Sequence, residues 1–454
     1  MFKAITKKIQ LIWASQGQTN HLKNQLIKGV AGSLGLKVAS AFLAFVMSVI
    51  FARFLGTSGL GTYSYATTWA NLLSIPAALG LDQLIVREIA IYRNKAQYDL
   101  IGGFLRWANL MVLSAGITIT LIAIIAAWNL KGDSDSTVVL AIALSMVAVP
   151  IMSLRNLRLG AMKGLRKIVL GQMPDSLFSP IIVIALTVAT YFLFNDRFNV
   201  FWVLGIKIFA SIVTLIIGTR WLLQSLPPEV SQVTPKYNTK KWIADGLPFM
   251  FLGASQLLNS RIDIIMLGSI KGVEAVGIYA VLLGITRLTV FIHHAANSVL
   301  GPNIATLYSE GKIRQLERIV RKSMLSVFLF SLVTGGLLML LGNQVLLIFG
   351  SEFLPGRTAM NILIIGTIFT SFTGAVGLLL NMTGHQNETA IAVGLSAILN
   401  IILNSVLIPR WGINGAATAT TTSLIVINII KAISVKKKLG ISLYSFGSPK
   451  TKNK

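Results

Sequence analysis

The 454-residue sequence has no cysteine. That excludes a disulfide, a thiol nucleophile and any Cys-ligated metal. Histidine is almost as scarce: His21, His293, His294 and His385 offer no metal-ligand spacing beyond one adjacent pair. Charge is also thin. Only 12% of residues are Asp, Glu, Lys or Arg, against ~25% in an ordinary soluble domain. Acids are the rarer sign, 15 against 40 Lys and Arg. The apolar runs are continuous and do not alternate, which excludes a membrane barrel. Residues 1–28 are polar and basic, with no short apolar core before a small-residue cleavage site, so the first apolar run is expected to be retained.

What is abundant is apolar surface. Hydrophobic residues make up 54% of the chain, and the mean hydropathy is +0.73. Apolar runs recur from about residue 29 to residue 435, many near the ~20 residues that span a bilayer. The pattern predicts an all-α polytopic membrane protein with about twelve spans: 29–53, 62–81, 103–128, 137–154, 173–194, 200–219, 244–268, 275–299, 323–347, 358–382, 389–408 and 415–430. With the N-terminus inside, the inner segments carry 29 Lys and Arg and the outer ones five, as the positive-inside rule requires. Both termini are then cytoplasmic, and the basic pI reports topology; nucleic acid is not needed to explain it. The outer loops are short, too short for the catalytic groups of a polysaccharide polymerase or ligase. An enzyme is not expected.

Six cations fall inside these spans: Lys37, Arg53, Arg106, Lys207, Arg261 and Arg287. Asp263 is the acid expected at comparable depth. A charge at a membrane helix centre costs about 2.5–3.5 kcal/mol, so such residues face a cavity or a partner. The cationic excess suggests that the missing negative charge arrives with the substrate. Arg53 and Arg106 lie near span ends, where long side chains reach an interface. Lys207 is a third of the way down its span, placed for cavity or interface. Lys37 shares a helical face with Ser33, Ser40 and Ser48. Arg287 sits at the middle of span eight, with His294 and Ser298 continuing its stripe; it faces substrate or pairs with Asp263. Span seven has a polar face of Gln256, Asn259, Ser260 and Asp263, and Arg261, two residues from Asp263, points elsewhere. Asp263 has two readings, a structural counter-charge or an H+ or Na+ coupling site. Asn400 and Asn404 read as interhelical hydrogen-bond glue, and the Thr418–Ser423 run as helix packing.

The longest inner connection, about 220–243, contains Pro227, Pro228 and Pro235 and divides the chain. Leu55-Gly56 and Gly61-Thr62-Tyr63 in the first half match Leu267-Gly268 and Gly277-Ile278-Tyr279 in the second, at offsets of 212 to 216. Gly164 and Gly384 stand at 220. Six spans separate the copies, so both halves insert the same way, a parallel repeat. The expected domains are a basic segment 1–28, a six-helix lobe 29–223, a linker 224–243, a second lobe 244–435 and a basic tail 436–454.

These motifs carry a resemblance. Phe51-Ala-Arg-Phe-Leu-Gly56 through Gly61-Thr-Tyr63, Gly80-Leu81 and Arg87-Glu-Ile-Ala90 stand in the first half. Leu247-Pro-Phe249, Arg261-Ile-Asp263, Gly277-Ile-Tyr279, Leu407-Ile-Pro-Arg-Trp-Gly412 and Gly415-Ala-Ala417 stand in the second. In order and spacing the chain resembles the oligosaccharide (polysaccharide) flippase family, Wzx-type, of the MOP superfamily that also holds MATE antiporters and lipid II flippases. The resemblance implies two pseudo-symmetric six-helix lobes, a central cavity and alternating access. It also implies a polyprenyl-pyrophosphate-linked oligosaccharide as substrate, moved from the inner to the outer leaflet, with polysaccharide polymerase and glycosyltransferases as partners. On this reading Lys37, Arg287, Arg261, Lys207 and His294 bind substrate, Asp263 is the candidate coupling acid, and no metal or cofactor is involved. The alternatives are a MATE-like cation-coupled small-molecule exporter and a lipid II-type flippase. Against the first, span one lacks the acid that drug antiporters often carry; against the second, the two further spans typical of lipid II flippases are not found.

Overall fold

The structure is a computed structural model that describes residues 2–129 and 136–441. Side chains are described from Gly35 onward, apart from Asp196, Leu252, Leu258, Asn259, Val290, Phe291, Ile292, His294, Ala295, Ser298, Val299 and Pro302. Among the described residues every regular element is helical. That follows from the apolar runs: in hydrocarbon a helix satisfies its own backbone hydrogen bonds, whereas an open strand does not.

In chain order the helices are α1 (Phe2–Ala78), α2 (Leu81–Asn94), α3 (Tyr98–Asn129), α4 (Ser136–Met146), α5 (Ala148–Gly164) and α6 (Ile168–Met173). A π-helical turn, Pro174–Phe178, joins α6 to α7 (Ser179–Phe194). There follow α8 (Val200–Ser225), α9 (Glu229–Gln232), α10 (Thr239–Lys271), α11 (Val273–Ser309), α12 (Ile313–Leu340) and α13 (Gly342–Phe349). A 3-10 turn, Ser351–Gly356, leads to α14 (Arg357–Thr373), α15 (Val376–Met382) and α16 (Gln386–Leu439). Eight helices, with continuous pieces such as α4–α5 taken together, are long and apolar enough to cross a membrane. Two of these are pairs merged across a kink, at Gly56 in α1 (φ 68°) and Gly412 in α16 (φ 53°), backbone that glycine alone adopts cheaply. With α10 and α11, 33 and 37 residues long, helices stand at all twelve of the expected positions.

The ends differ from expectation because helices run on past their apolar centres. The second crossing resumes directly after Gly56, not at 62, and the third starts at Tyr98. The ninth crossing, expected over 323–347, ends at Leu340, and a separate helix, α13, follows. The tenth, expected as one run over 358–382, breaks at Gly374 (φ 68°) into α14 and α15. One element was not foreseen. α2 is amphipathic: Leu81, Leu84, Ile85, Glu88, Ile89 and Tyr92 are buried, while Arg87 and Arg93 stand on its other side. It lies at the face of the molecule that carries the basic loops, the basic face.

The internal repeat is visible as a reciprocal contact at the opposite face. A Cβ on Gly61 would meet the Val273 carbonyl, and a Cβ on Gly277 would meet the Thr57 carbonyl. Thr57 and Val273, like Gly61 and Gly277, are 216 residues apart, so the two halves make the same contact on each other. This corrects the motif pairing. The counterpart of Gly56 is Gly272, not Gly268: they share positive φ (68° and 84°) with extended ψ (−173° and 175°). The pair Gly164 and Gly384 does not match in backbone; Gly384 has φ 82°, whereas in the first half it is Arg166 that has positive φ, 62°.

Packing concentrates at the two faces. Toward the opposite face, Phe51, Leu60, Leu267, Tyr279, Leu282, Phe349 and Phe353 form a buried cluster from both halves. At the basic face Leu84, Ile89, Tyr92, Phe104 and Leu157 enclose Trp242 from the first turn of α10, whose indole N–H donates to the Tyr92 hydroxyl at 2.9 Å. Between these clusters lies a cavity.

Candidate functional site

The cavity has a volume of about 790 Å³. The arm of α1 before Gly56 contributes Lys37, Ser40 and Ser48, and the arm after it contributes Ser64, Thr67, Thr68 and Asn71. From the second half come Arg261 on α10 and Ala280, Leu283, Gly284 and Arg287 on α11. The repeat explains this wall. Ser64, Thr67, Thr68 and Asn71 fall at i, i+3, i+4 and i+7, one helical face. Their counterparts 216 residues on are Ala280, Leu283, Gly284 and Arg287, all of which also line the cavity. Symmetric helices thus present opposed faces of unlike chemistry: hydroxyls and an amide from one half, an arginine from the other.

Three of the predicted substrate-binding residues meet here: Lys37, Arg261 and Arg287. Lys37 and Arg287 are exposed to the cavity and Arg261 is partly so. No carboxylate is among the lining residues, and none of the three cations forms an ion pair among the described residues. At its end toward the opposite face the cavity is closed by aromatic rings: Phe45 and Phe349 make an edge contact with centroids 5.6 Å apart. Arg53 secures that end. It donates to the carbonyls of Ile348 (2.7 Å) and Leu347 (2.6 Å) at the C-terminus of α13, where free carbonyls carry partial negative charge. Arg53 therefore ties the two halves together from an exposed position near the end of its span.

The other candidate residues separate. Asp263 is 4% exposed and turned from the cavity. It accepts hydrogen bonds from the Tyr279 hydroxyl (2.8 Å), the Ile264 N–H (2.8 Å) and the Thr420 hydroxyl (3.3 Å). The expected pairing of Asp263 with Arg287 is absent among the described residues, and Arg261 and Asp263 do point to different sides of α10. Lys207 does not line the cavity; it lies in the first half, with Nζ 3.5 Å from the Ser179 hydroxyl. The side chains of His294, Ser298, Asn259 and Ser33 lie outside the described residues. Asn404 donates to Asn400 at 2.9 Å within α16, so this pair is joined along one helix and not across two. The Thr418–Ser423 run packs as expected: Thr421 donates to the Ile362 carbonyl and Ser396 to the Ser423 carbonyl.

Comparison with known proteins decides the family. A sequence profile described as polysaccharide biosynthesis protein matches residues 26–308, more than half the chain. The chain belongs to that family. A second profile, MatE, matches residues 248–406, which bears out the expected MOP superfamily. Among its relatives is the "probable low-salt glycan biosynthesis flippase Agl15" of Haloferax volcanii, 23% identical over 88% of this chain and 82% of that one. An inward-facing multidrug resistance MATE transporter superposes with a TM-score of 0.71 at 16% identity, over 90% of this chain and 96% of that one. The lipid II flippase MurJ superposes with a TM-score of 0.67 at 15% identity, over 88% and 87%. The protein is thus a multi-pass membrane transporter of this family and not an enzyme.

Within that family fold, sequence reasoning overlooked two features. The Ser64, Thr67, Thr68 and Asn71 stripe was legible as a helical spacing, but four uncharged residues carry little signal beside lysine and arginine. The second is an ion cluster of Arg155 and Arg158, expected in the inner loop after span four, with Asp175, at the edge of span five. The structure places all three within long helical crossings, because α5 and α6 extend the apolar runs past the basic residues.

Proposed function

We propose that the protein is a flippase for a polyprenyl-pyrophosphate-linked oligosaccharide, carried from the inner to the outer leaflet of the cytoplasmic membrane. One observation supports this above the rest: the central cavity gathers three cations and no carboxylate. An anion entering it recovers the cost of holding those cations away from bulk water. Arg261 and Arg287 offer bidentate forks to phosphate oxygens, and Lys37 acts as a point charge. The opposed wall of Ser64, Thr67, Thr68 and Asn71 suits the sugar next to the diphosphate. The three hydroxyls and the amide sit where a sugar head can exchange water for protein contacts, while the polyprenyl chain stays in lipid.

In this proposal the lobes 29–223 and 244–435 rock against each other, joined by the linker 224–243, and the seam at Gly61 and Gly277 is one of the contacts that must part on the outer side. Both termini are cytoplasmic, so the basic face is the inner one and the aromatic layer at Phe45 and Phe349 closes the outer side. Asp263 is retained as the candidate acid for H+ or Na+ coupling; its exchange of a proton would release Tyr279 and so loosen α10 from α11. A polymerase and glycosyltransferases are the partners such a substrate needs. A cation-coupled exporter fits less well, since a cationic drug meets like charge in this cavity.

The test is leaflet-resolved flipping of a lipid-linked oligosaccharide in proteoliposomes. Arg287→Ala should abolish transport while the protein inserts and purifies normally. Wild-type flipping by a stable Arg287→Ala protein would sink the assignment.

A further inference from the structure

A second charged cluster stands apart from the cavity, inside the first half. Arg155 approaches Asp175 through Nε (2.8 Å) and its terminal nitrogen (2.7 Å), and donates to the Ser211 hydroxyl on α8 (3.1 Å). Arg158 pairs with the other oxygen of Asp175 and donates to the Thr214 carbonyl at 3.1 Å. Lys207, one helical turn before Ser211, lies within electrostatic reach of Arg155 and Asp175. Its ammonium makes a long contact with Ser179 and has no carboxylate partner among the described residues. Three cations therefore share one carboxylate in membrane-spanning helices.

A structural pair does not need that excess. Arg158 alone meets the structural requirement: its side chain is 3% exposed and fills the space left by the missing side chain of Gly218. Arg155 and Asp175, by contrast, keep 17% and 18% exposure, and Lys207 is half-buried. None of the three is fully buried. The π-helical turn places them beside the cavity. Pro174 and Pro180 have no N–H, so the helix ladder loses two donors here and widens. Asp175 then turns to the cluster while Ser176, its neighbour, lines the central cavity.

We propose that Arg155 and Lys207, with the hydroxyls of Ser179 and Ser211, form a second anion site for a phosphate-type group, in which Asp175 is the resident counter-ion that the ligand displaces. This rests on the diphosphate reading of the central cavity and extends it. When the site is empty, Asp175 neutralises part of the charge; when a phosphate arrives, Arg155 exchanges one anion for another. Competition by Asp175 keeps the affinity moderate, as a transporter that must release its substrate requires.

The full chain in phosphatidylcholine nanodiscs, titrated with inorganic pyrophosphate, tests this. In an Arg287→Gln background, Lys207→Gln should weaken binding roughly tenfold, and Asp175→Asn should tighten it several-fold. Unchanged affinity in both variants overturns the second site. Asp175→Asn leaves Arg158 unpaired; if that variant does not fold, Lys207→Gln alone decides, because the contact of Lys207 with Ser179 is long. The two readings fail separately. If Arg287→Gln weakens binding and Lys207→Gln does not, only the second site is lost; the reverse removes the central one. No pyrophosphate binding by the wild type overturns both. Repeating the titration in phosphatidylglycerol nanodiscs distinguishes the source of the phosphate. A lipid headgroup in the site lowers the apparent pyrophosphate affinity of wild type but not of Lys207→Gln; no such lowering assigns the site to the transported diphosphate.

Discussion

At the scale of single residues, burial and partners separate cations that look alike in sequence. Arg53 and Arg287 both interrupt apolar runs, yet Arg53 is spent on two carbonyls of α13, whereas Arg287 faces the cavity. The fork geometry of Arg287 is testable apart from its charge. Arg287→Lys should keep part of the flipping rate that Arg287→Gln loses, because lysine supplies charge without bidentate contact; equal loss in both, measured in proteoliposomes, would show that geometry dominates. Gly218 is the clearest small-residue requirement. A Cβ there would stand 1.1 Å from a guanidinium nitrogen of Arg158. Gly218→Ala must therefore push the arginine off Asp175, and breaking a buried pair costs about 3–5 kcal/mol. A thermal melt in detergent should fall by several degrees, with no such fall for Gly205→Ala, where a Cβ meets open space.

At the scale of elements, glycine kinks and docked segments decide how apolar runs become a transporter. Gly61 and Gly277 let α1 and α11 touch through backbone, each against the other half. Since the contact is reciprocal, Gly61→Val and Gly277→Val should impair thermal stability and transport to similar degrees; a defect confined to one would break the symmetry argument. The linker is held differently. Lys236 donates its N–H to the Asp99 carbonyl (3.1 Å), and its ammonium pairs with the Asp99 carboxylate at 2.9 Å. That hydrogen bond and charge raise the Lys236 ammonium above its ordinary range. A raised lysine contributes below its unfolded value and loses the contribution only as pH climbs through the folded one. Trypsin cleavage of the linker should thus be insensitive to pH between about 6 and 9 apart from the enzyme's own profile. It should quicken with added salt, since the pair is exposed and screened.

At the scale of the whole molecule, the two halves touch at both faces while a cavity persists between them. In this structure the end toward the opposite face is shut by the Phe45 and Phe349 layer, the Arg53 bonds and the glycine seam. Alternating access requires this layer to part. The native chain has no cysteine, so a Phe45→Cys, Phe349→Cys pair can be cross-linked without background. Oxidation should stop flipping and reduction should restore it. Full transport by the cross-linked protein would place the moving contact elsewhere.

The sequence by itself determined the class and the crossings. Hydropathy runs are long, local and one-dimensional, so twelve spans, a repeat and a cationic excess were readable without coordinates. Even there, Lys37 and Arg287 stood out because a charge in an apolar run is conspicuous. Tertiary structure alone decided which charges share a space. Arg261 joined them in the cavity, Lys207 moved to another cluster, and Asp263 went to Tyr279 and Thr420, because helix rotation is set by packing between helices that are far apart in the chain. The same holds for Asp175. In sequence it is an acid at the edge of a span. Only the widened turn between Pro174 and Pro180, and the helices folded against it, make it the single carboxylate among three cations.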